Sequence, residues 1–242
     1  MTKLCIALIG MAVGGLAGGA LADSGGPESK GSAASLARVD HIVYGTPDLQ
    51  LGIDTLEKLL GVRATPGGQH PGRGTRNALI ALGPATYLEI IAPDPQQPKP
   101  AAPRSFGIDD LRAPRLVAWA AKGKDLEPAV AEARRQGVPL GDVRAGSRKR
   151  PDGVLLSWRY SDPAAVVAGG VVPFLIDWGS SPHPAATAAQ GASLIALRVE
   201  TPTPEPVHKM LQALGFDLPV QKGLAPAIVA TIRTARGTVE LR

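Results

Sequence analysis

Polar and apolar positions alternate in several short stretches of this 242-residue chain, and the first of them leads into a helical pattern. The segment VDHIVY, residues 39–44, has the period of two that is typical of a β-strand. Asp48 then stands where a helix N-cap is expected, and Gly61 where the helix would end. Between them, one apolar helical face is formed by Leu49, Ile53, Leu56 and Leu60.

Three further strands are predicted after this helix. The first is weakly marked near residues 62–65, and the others lie in NALIALG, residues 77–83, and TYLEIIAP, residues 86–93. The segment therefore forms a unit of one strand, one helix and three strands.

The same βαβββ order recurs twice along the chain. In the second unit, Asp125 is the predicted helix cap and Gly137 the stop. In the third, Thr203 is the cap, Pro204 takes the first helical position and Gly215 ends the helix. We predict an α+β fold of repeated βαβββ modules, in which a curved mixed sheet encloses a cup and the helices lie outside.

Breaks in these patterns set the predicted domain boundaries. One domain spans residues 36–180, with modules at 36–93 and 115–180 and a Pro-rich linker at 93–107. The third βαβββ-like unit, residues 192–242, is expected to pack on this domain.

The first residues have the pattern of an export signal. Residues 1–22 combine an early Lys3, an apolar run and the small-residue sequence Ala20-Leu21-Ala22, which is typical of a cleaved signal peptide. Residues 23–35 are small and polar and are predicted to be a flexible tether. The protein is therefore expected to be periplasmic or secreted. Cleavage would also remove the single cysteine, which excludes disulfides and a thiol nucleophile.

Charge and composition narrow the choice of partners. The chain has a formal charge of +5, and only 4% of its residues are aromatic, with its arginines spread along the sequence. This distribution favours a solvated surface over a nucleic-acid interface. We expect a small-molecule substrate or ligand, no membrane contact after signal cleavage, and a chain that is compatible with a homodimer.

A glycine-rich segment, GGQHPGRGTRNALIALG, occupies residues 67–83. It leads into a strand and lacks the spacing of a phosphate-binding loop, so its glycines are interpreted as turn formers. His70 and Arg73 are predicted at the rim of the cup, free to meet a ligand. Thr75 and Asn77 are predicted to bind that ligand and to fix the loop by hydrogen bonds to its backbone.

Two polar residues interrupt apolar strand faces, namely His41 in the first strand and Glu89 in the last strand of the first unit. The segments VDHIVYGTPDL and YLEII that contain them resemble the vicinal oxygen chelate superfamily, which includes glyoxalases, extradiol dioxygenases and bleomycin-resistance proteins. The glycine-rich segment and VVPFLIDWG resemble its glyoxalase-like domain group. The resemblance covers about residues 36–180. It implies a paired-module fold and, in metal-using members, one divalent ion such as Zn, Ni, Fe or Mn.

The resemblance assigns His41 and Glu89 as metal ligands, but the later units depart from the pattern. In the second unit, Ala118 matches His41, and the strand that matches Glu89 offers Asp177. The third unit offers Glu240, for which a solvated edge position is the favoured interpretation. The implied metal set is therefore His41, Glu89 and Asp177, and it is incomplete by the standard of the superfamily.

Three functions remain open at this point. The first is a metal-dependent lyase or isomerase acting on a small carbonyl or carboxylate compound, in which Glu89 or Asp177 moves a proton. The second is a metal-free binding or drug-sequestering module. The third, an extradiol-type dioxygenase, is disfavoured because it needs a second histidine on a matching strand. His183 is interpreted as a loop residue.

The three tryptophans all lie on strands of the second unit. They are predicted to line an apolar pocket, with simple core packing as the alternative. These residues are Trp119, Trp158 and Trp178.

Overall fold

The computed structural model describes residues 32–164 and 167–242. The predicted export signal and most of the tether lie outside the described residues. Residues 32–35, which the sequence placed in the tether, instead begin a short helix, α1 (Ala33–Ala37). Ser35 is buried and its hydroxyl accepts the Asp217 N–H at 2.8 Å, which anchors the start of the domain. Within the described ranges, no helix is long and apolar enough to cross a membrane.

The first module has the predicted order of elements. Asp48 caps its helix through a 2.9 Å hydrogen bond from the Leu51 N–H, and Gly61 ends the helix in the left-handed conformation, as predicted. The second strand, however, begins at Thr65 and includes the first four residues of the glycine-rich segment, 67–70. The elements are β1 (Val39–Gly45), α2 (Leu49–Leu60), β2 (Thr65–His70), β3 (Thr75–Gly83) and β4 (Thr86–Pro93).

The second module repeats this order after a 3-10 helix at Ser105–Asp110. Asp125 occupies the cap position of its helix, but its side chain makes no capping hydrogen bond. A second 3-10 helix at Val167–Gly170 precedes the last strand. The elements are β5 (Arg115–Lys122), α3 (Leu126–Arg135), β6 (Val143–Lys149), β7 (Leu155–Ser161) and β8 (Phe174–Asp177).

The two modules form one eight-stranded sheet in the order β2-β3-β4-β1-β5-β8-β7-β6. β1 and β5 pair antiparallel at its centre, and each pairs parallel with the last strand of its own module. The outer strands β2 and β6 approach each other, so the curved sheet is nearly closed. Arg148 on β6 donates a hydrogen bond to the Gly67 carbonyl on β2 across this gap. We call this contact the seam.

The third unit has the predicted order of elements, but its sheet is arranged differently. Its strand order is β10-β9-β11-β12, so its first strand lies inside the sheet and does not pair with its last strand. A 3-10 helix at Pro184–Ala186 precedes the unit. The elements are β9 (Ala192–Thr201), α4 (Pro204–Ala213), β10 (Val220–Lys222), β11 (Ala227–Thr234) and β12 (Gly237–Leu241).

The main hydrophobic core lies between the outer face of the large sheet and the third unit. Trp119 on β5 is fully buried there, with its ring edge-on to Phe216 at 5.0 Å between centroids. Its indole N–H donates to the Val171 carbonyl at 2.9 Å. Its neighbour Ala118 packs in a different cluster, with Val43 of the inner face. Trp119 therefore belongs to the core, and its predicted place in the ligand pocket is wrong.

Candidate functional site

The inner face of the eight-stranded sheet encloses a cavity of about 650 Å³, including its open mouth, which we call the cup. Both modules contribute to its wall, and the 3-10 helix at Ser105–Asp110 covers one side with Phe106. A concave site with several aromatic side chains and a few polar groups in its wall is typical of small-molecule sites. Trp158 and Trp178 line it, and their rings lie 5.1 Å apart.

His41 and Glu89 meet at one end of the cup. The parallel pairing of β1 with β4 sets His41 beside Tyr87, two residues before Glu89, so all three side chains reach the same cavity. His41 Nε2 lies 3.8 Å from Glu89 Oε2, and both residues are buried. The His41 ring stacks on the Tyr87 ring at 4.7 Å between centroids. Burial raises the pKa of the Tyr87 phenol, which therefore stays protonated at neutral pH.

A buried carboxylate, Asp40, fixes the orientation of His41. The β1–β5 register shifts between Val39 and His41, and this irregularity lets Asp40 and His41 contact each other although they are adjacent. Asp40 Oδ1 lies 2.8 Å from His41 Nδ1, and the Trp178 indole N–H and His183 Nε2 each lie 3.2 Å from the same carboxylate. We call these three contacts the Asp40 hub.

The Asp40 hub has a defined charge and proton arrangement. Burial acts to raise the pKa of Asp40, but the contacts with His183 and His41 outweigh it and lower that pKa to about 2. His183 Nδ1 accepts the Ala185 N–H, so its other nitrogen carries the proton that Asp40 accepts. A neutral His41 likewise directs its Nδ1 proton to Asp40 and leaves the lone pair on Nε2 facing Glu89.

A second imidazole, His70, faces Glu89 from the end of β2. His70 is 7% exposed, and its Nε2 lies 3.8 Å from Glu89 Oε1. His70 Nδ1 lies 2.9 Å from the Thr75 hydroxyl, and the Asn77 amide donates to Glu89 at 2.6 Å. Burial lowers the pKa of His70 to about 4, so this imidazole is neutral at neutral pH.

These contacts correct the prediction for the glycine-rich segment. His70 is buried inside the sheet and does not lie at the rim, because β2 runs to His70 and the turn is confined to residues 71–74. Thr75 and Asn77 bond to side chains of the site and not to the backbone of a loop. Gly72 and Gly74 have positive φ and are the turn formers that the sequence predicted.

Gly67 leaves the space that Asn77 occupies. A Cβ added at Gly67 would lie 2.1 Å from Asn77 Oδ1, whereas at Gly83, on the same strand as Asn77, the nearest atom would be 3.8 Å away. We expect Gly67→Ala to reduce the free energy of unfolding by about 1–3 kcal/mol through overpacking. Gly83→Ala is the control and should change it by less than about 0.5 kcal/mol. Urea denaturation of both variants measures the difference, and equal stabilities would contradict the assigned packing.

The second module contributes a cation and a phenol to the cup, and the first module adds another cation. Arg148 is 2% exposed, and besides its backbone contact at the seam it interacts electrostatically with Tyr87 and Glu89. Arg73, in the β2–β3 turn, lies over the ring of Tyr160 at 4.8 Å from its centroid. Burial lowers the pKa of both guanidinium groups, which nevertheless remain charged.

The register of the second module explains why Asp177 lies outside the cup. His41 pairs with Tyr87 in the first module as Ala120 pairs with Phe174 in the second, so Ala120 and Ile176 occupy the positions equivalent to His41 and Glu89. Ala120 also pairs directly with His41 across β1 and β5. The predicted matches were therefore displaced, by two residues at Ala118 and by one at Asp177.

A displacement of one residue reverses the face of a strand. Asp177 accordingly lines a separate surface depression, where it accepts the Gly179 N–H at 2.8 Å. Glu240 is exposed and pairs with Arg198, as its favoured interpretation predicted. Over residues 32–164 and 167–242, no three His, Cys, Asp or Glu side chains are arranged to hold a metal ion. The implied set of His41, Glu89 and Asp177 is thus not brought together.

Comparison with known families identifies the family to which this chain belongs. A family model described as a glyoxalase-like domain matches residues 39–215, which is most of the chain. The chain belongs to the glyoxalase-like domain family. The family lies within the vicinal oxygen chelate superfamily, in agreement with the resemblance seen in the sequence. The match also extends past residue 180 into the third unit of this glyoxalase-like protein.

Three solved structures are similar to the glyoxalase-like protein to different degrees, and the first of them shares its fold. A hypothetical protein from Staphylococcus aureus is 14% identical, with 82% of this chain and 92% of that chain covered and a TM-score of 0.56. Methylmalonyl-CoA epimerase from Mycobacterium tuberculosis is 23% identical, with 64% and 96% covered and a TM-score of 0.40. A Streptomyces coelicolor methylmalonyl-CoA epimerase variant in complex with 2-nitronate-propionyl-CoA is 19% identical, with 62% and 100% covered and a TM-score of 0.40. No curated protein matches the chain.

Several residues of the glyoxalase-like protein's site were missed in the sequence. Asp40 was given no role in the sequence analysis, although its place beside a histidine was a usable signal. Arg148 was not singled out, and nothing in the sequence separates it from its neighbours. Phe106 belongs to the predicted Pro-rich linker, and Tyr160 was not singled out; both line the cup.

Proposed function

We propose that this glyoxalase-like protein binds a small carbonyl or carboxylate compound in the cup and transfers a proton on it. The observation that supports this most directly is the buried His41–Glu89 pair. The Nε2 atom of His41 and the Oε2 atom of Glu89 lie 3.8 Å apart, and both residues line the cup. A carboxylate beside an imidazole of fixed orientation is a common arrangement for general acid–base chemistry. The reaction class would be isomerisation or elimination next to a carbonyl group.

The side chains that face Glu89 test whether a resident metal fits the same place. His41 and His70 each direct Nε2 at one Glu89 oxygen, which is suitable donor chemistry for a divalent ion. The Asn77 amide nitrogen, however, lies 2.6 Å from one of these oxygens and 3.3 Å from His70 Nε2. A hydrogen-bond donor thus occupies the middle of the donor set, and this arrangement does not fit an ion.

The proton transfer is therefore derived from the chain's own residues. Glu89 would accept a proton from the carbon next to the substrate carbonyl, and the electron pair of that C–H bond would move into the enolate. The buried guanidinium of Arg148, which already interacts with Glu89, supplies positive charge near the developing oxyanion. Return of the proton from Glu89 to the neighbouring carbon of an enediolate completes an isomerisation, and loss of a neighbouring leaving group completes an elimination.

Hydrogen exchange at carbon provides the test. The purified protein would be incubated in D2O with a set of 2-substituted carboxylic acids and 2-oxo acids, and the loss of each α-proton signal would be followed by NMR. We expect exchange with at least one compound, and Glu89→Gln should slow it by about 10²–10⁴-fold. Asp177→Asn, whose side chain lies outside the cup, is the matched control and should leave the rate unchanged.

The same experiment also tests whether the exchange requires a metal ion. Chelation with EDTA, followed by addition of Mn²⁺ or Zn²⁺, should leave the exchange rate unchanged if the residues alone perform the step. A rate that depends on added metal would contradict the arrangement of Asn77 described above. Absence of exchange with every compound would contradict the proposed proton transfer.

The alternative is a metal-free binding module without turnover. The 2.6 Å hydrogen bond from Asn77 favours it, because the amide donor occupies a Glu89 oxygen that would otherwise be open to a substrate proton. Under this alternative, compounds of the set bind to the protein, and Glu89→Gln changes their affinity but no α-proton is exchanged.

A further inference from the structure

Part of the cup wall carries polar groups that the surrounding residues leave unsatisfied. The Tyr160 side chain is 3% exposed, and its hydroxyl has no hydrogen-bond partner within the part of the chain that the structure describes. An unpaired buried hydroxyl is unfavourable by roughly 1–3 kcal/mol, so such groups are usually satisfied by water or by a ligand.

Arg73 places a guanidinium over the ring that carries this hydroxyl. The group lies 4.8 Å from the centroid of the Tyr160 ring, and its N–H groups make no hydrogen bond or ion pair with other described side chains. Asp162 attracts Arg73 electrostatically but lies in an ion pair with Arg144, at 3.6 Å. The stacked guanidinium is therefore held in place while its N–H donors remain available.

The balance of charge in the cup favours an anion. Arg73 and Arg148 line the cavity as cations, whereas Glu89 is the one acidic side chain among its lining residues. His70 is neutral at neutral pH because burial lowers its pKa to about 4. One negative charge on a ligand would balance the excess positive charge.

We propose that the ligand of the cup is a carboxylic acid with an apolar body and that Arg73 and Tyr160 hold its carboxylate. This inference rests on the proposed function and names the substrate class of the same site. One guanidinium and one hydroxyl match the two oxygens of a carboxylate. Phe106, Trp158 and Phe174 provide the apolar surface for the body of the ligand, which extends toward Glu89.

Calorimetric binding of a matched pair of probes tests the inference. The acid is 3-phenylpropanoate and its neutral counterpart is 3-phenylpropanamide, which has nearly the same shape. We expect the wild-type protein to bind the acid at least about tenfold more tightly than the amide. Arg73→Gln should remove this preference by lowering the affinity for the acid and not the affinity for the amide. Tyr160→Phe should lower the affinity for the acid by about three- to tenfold.

Arg159→Gln is the matched control. Arg159 is exposed, pairs with Glu127 and does not line the cup, so its loss removes one positive charge without removing a donor from the site. Acid affinity in this variant should stay within about twofold of wild type. Circular dichroism verifies that the variants are folded, and Arg73→Lys provides a second variant that retains the charge but not the planar group.

Two results would overturn the inference. One is equal affinity of the wild-type protein for the acid and the amide, or no binding of the acid at about 10 mM. The other is an equal loss of acid affinity in Arg159→Gln and Arg73→Gln. The outcome is separable from that of the proposed function, because Glu89→Gln cannot perform the proton transfer but should still prefer the acid. Exchange that proceeds equally on acids and amides would retain the proton transfer and exclude the carboxylate site.

Discussion

Trp119→Ala is expected to lower the free energy of unfolding by about 3–5 kcal/mol. Trp119 is fully buried between the large sheet and the third unit, and its ring packs edge-on against Phe216. Its removal would leave a cavity and deprive the Val171 carbonyl of the indole N–H. Urea denaturation followed by circular dichroism measures the loss without depending on tryptophan fluorescence.

Trp158→Ala is the matched variant, because it removes the same side chain from the wall of the cup. Trp158 is half-buried and borders open space, so its loss should reduce stability by only about 1–2 kcal/mol. It should, however, weaken the binding of 3-phenylpropanoate, which Trp119→Ala should not affect in the folded protein. The reverse pattern would indicate that Trp119 lines the cup, as the sequence analysis predicted.

Asp40→Asn is expected to lower the free energy of unfolding by about 2–4 kcal/mol and to slow α-proton exchange. In the Asp40 hub, three nitrogen atoms direct their hydrogen atoms at one carboxylate. An amide in its place retains one acceptor oxygen and turns its NH₂ group toward another donor, either His183 or His41. The proton on His41 Nδ1 would then lose its acceptor, and the lone pair on Nε2 would no longer be fixed in the cup.

Asp177→Asn controls for the change of charge alone. Asp177 is half-buried outside the cup and accepts one N–H, from Gly179, so stability should fall by less than about 1 kcal/mol and exchange should persist. Denaturation and the NMR exchange assay are applied to both variants. Loss of exchange in Asp177→Asn with exchange intact in Asp40→Asn would support the assignment made from the sequence and contradict the structure.

The architecture was predictable because its signals are local. The Asp48 cap, the apolar face of α2 and the Gly61 stop lie within one stretch of 14 residues, and each acts through neighbours in sequence. The same signals recur in the second and third units, which identified the repeated module. The order of strands in the third sheet is not local information, and the position of β9 inside that sheet was not predicted.

The second strand was predicted at the wrong residues because its composition is not typical of a strand. The segment TPGGQH (65–70) contains neither alternating apolar residues nor β-branched residues beyond Thr65, and two of its six positions are glycine. It is a strand because β3 supplies its hydrogen-bonding partners and because Gly67 and Gly68 allow Asn77 and the Lys149 carbonyl to approach closely. Because of this error, His70 was predicted at the rim of the cup and not inside the site.

The candidate site was predicted where one strand pair determines it. His41 and Glu89 lie on neighbouring strands of one module, and the resemblance was specific there. The prediction that Asp177 is a ligand was wrong because the sequence match was displaced by one residue. Such a displacement moves the side chain to the opposite face of the strand. Arg148 and Asp40 acquire their roles only from contacts with distant parts of the chain, the first with Gly67 and the second with Trp178 and His183.

The seam also bears on how the sheet assembles. Arg148 and Gly67 are 81 residues apart in the chain, so the contact between them closes a long loop. Each module can form its own strand pairs before that loop is closed, since its four strands are consecutive. The β1–β5 pairs close a loop of similar length but extend along two whole strands, whereas the described seam is the one Arg148–Gly67 hydrogen bond, so we expect the wall to open first at the seam during partial unfolding.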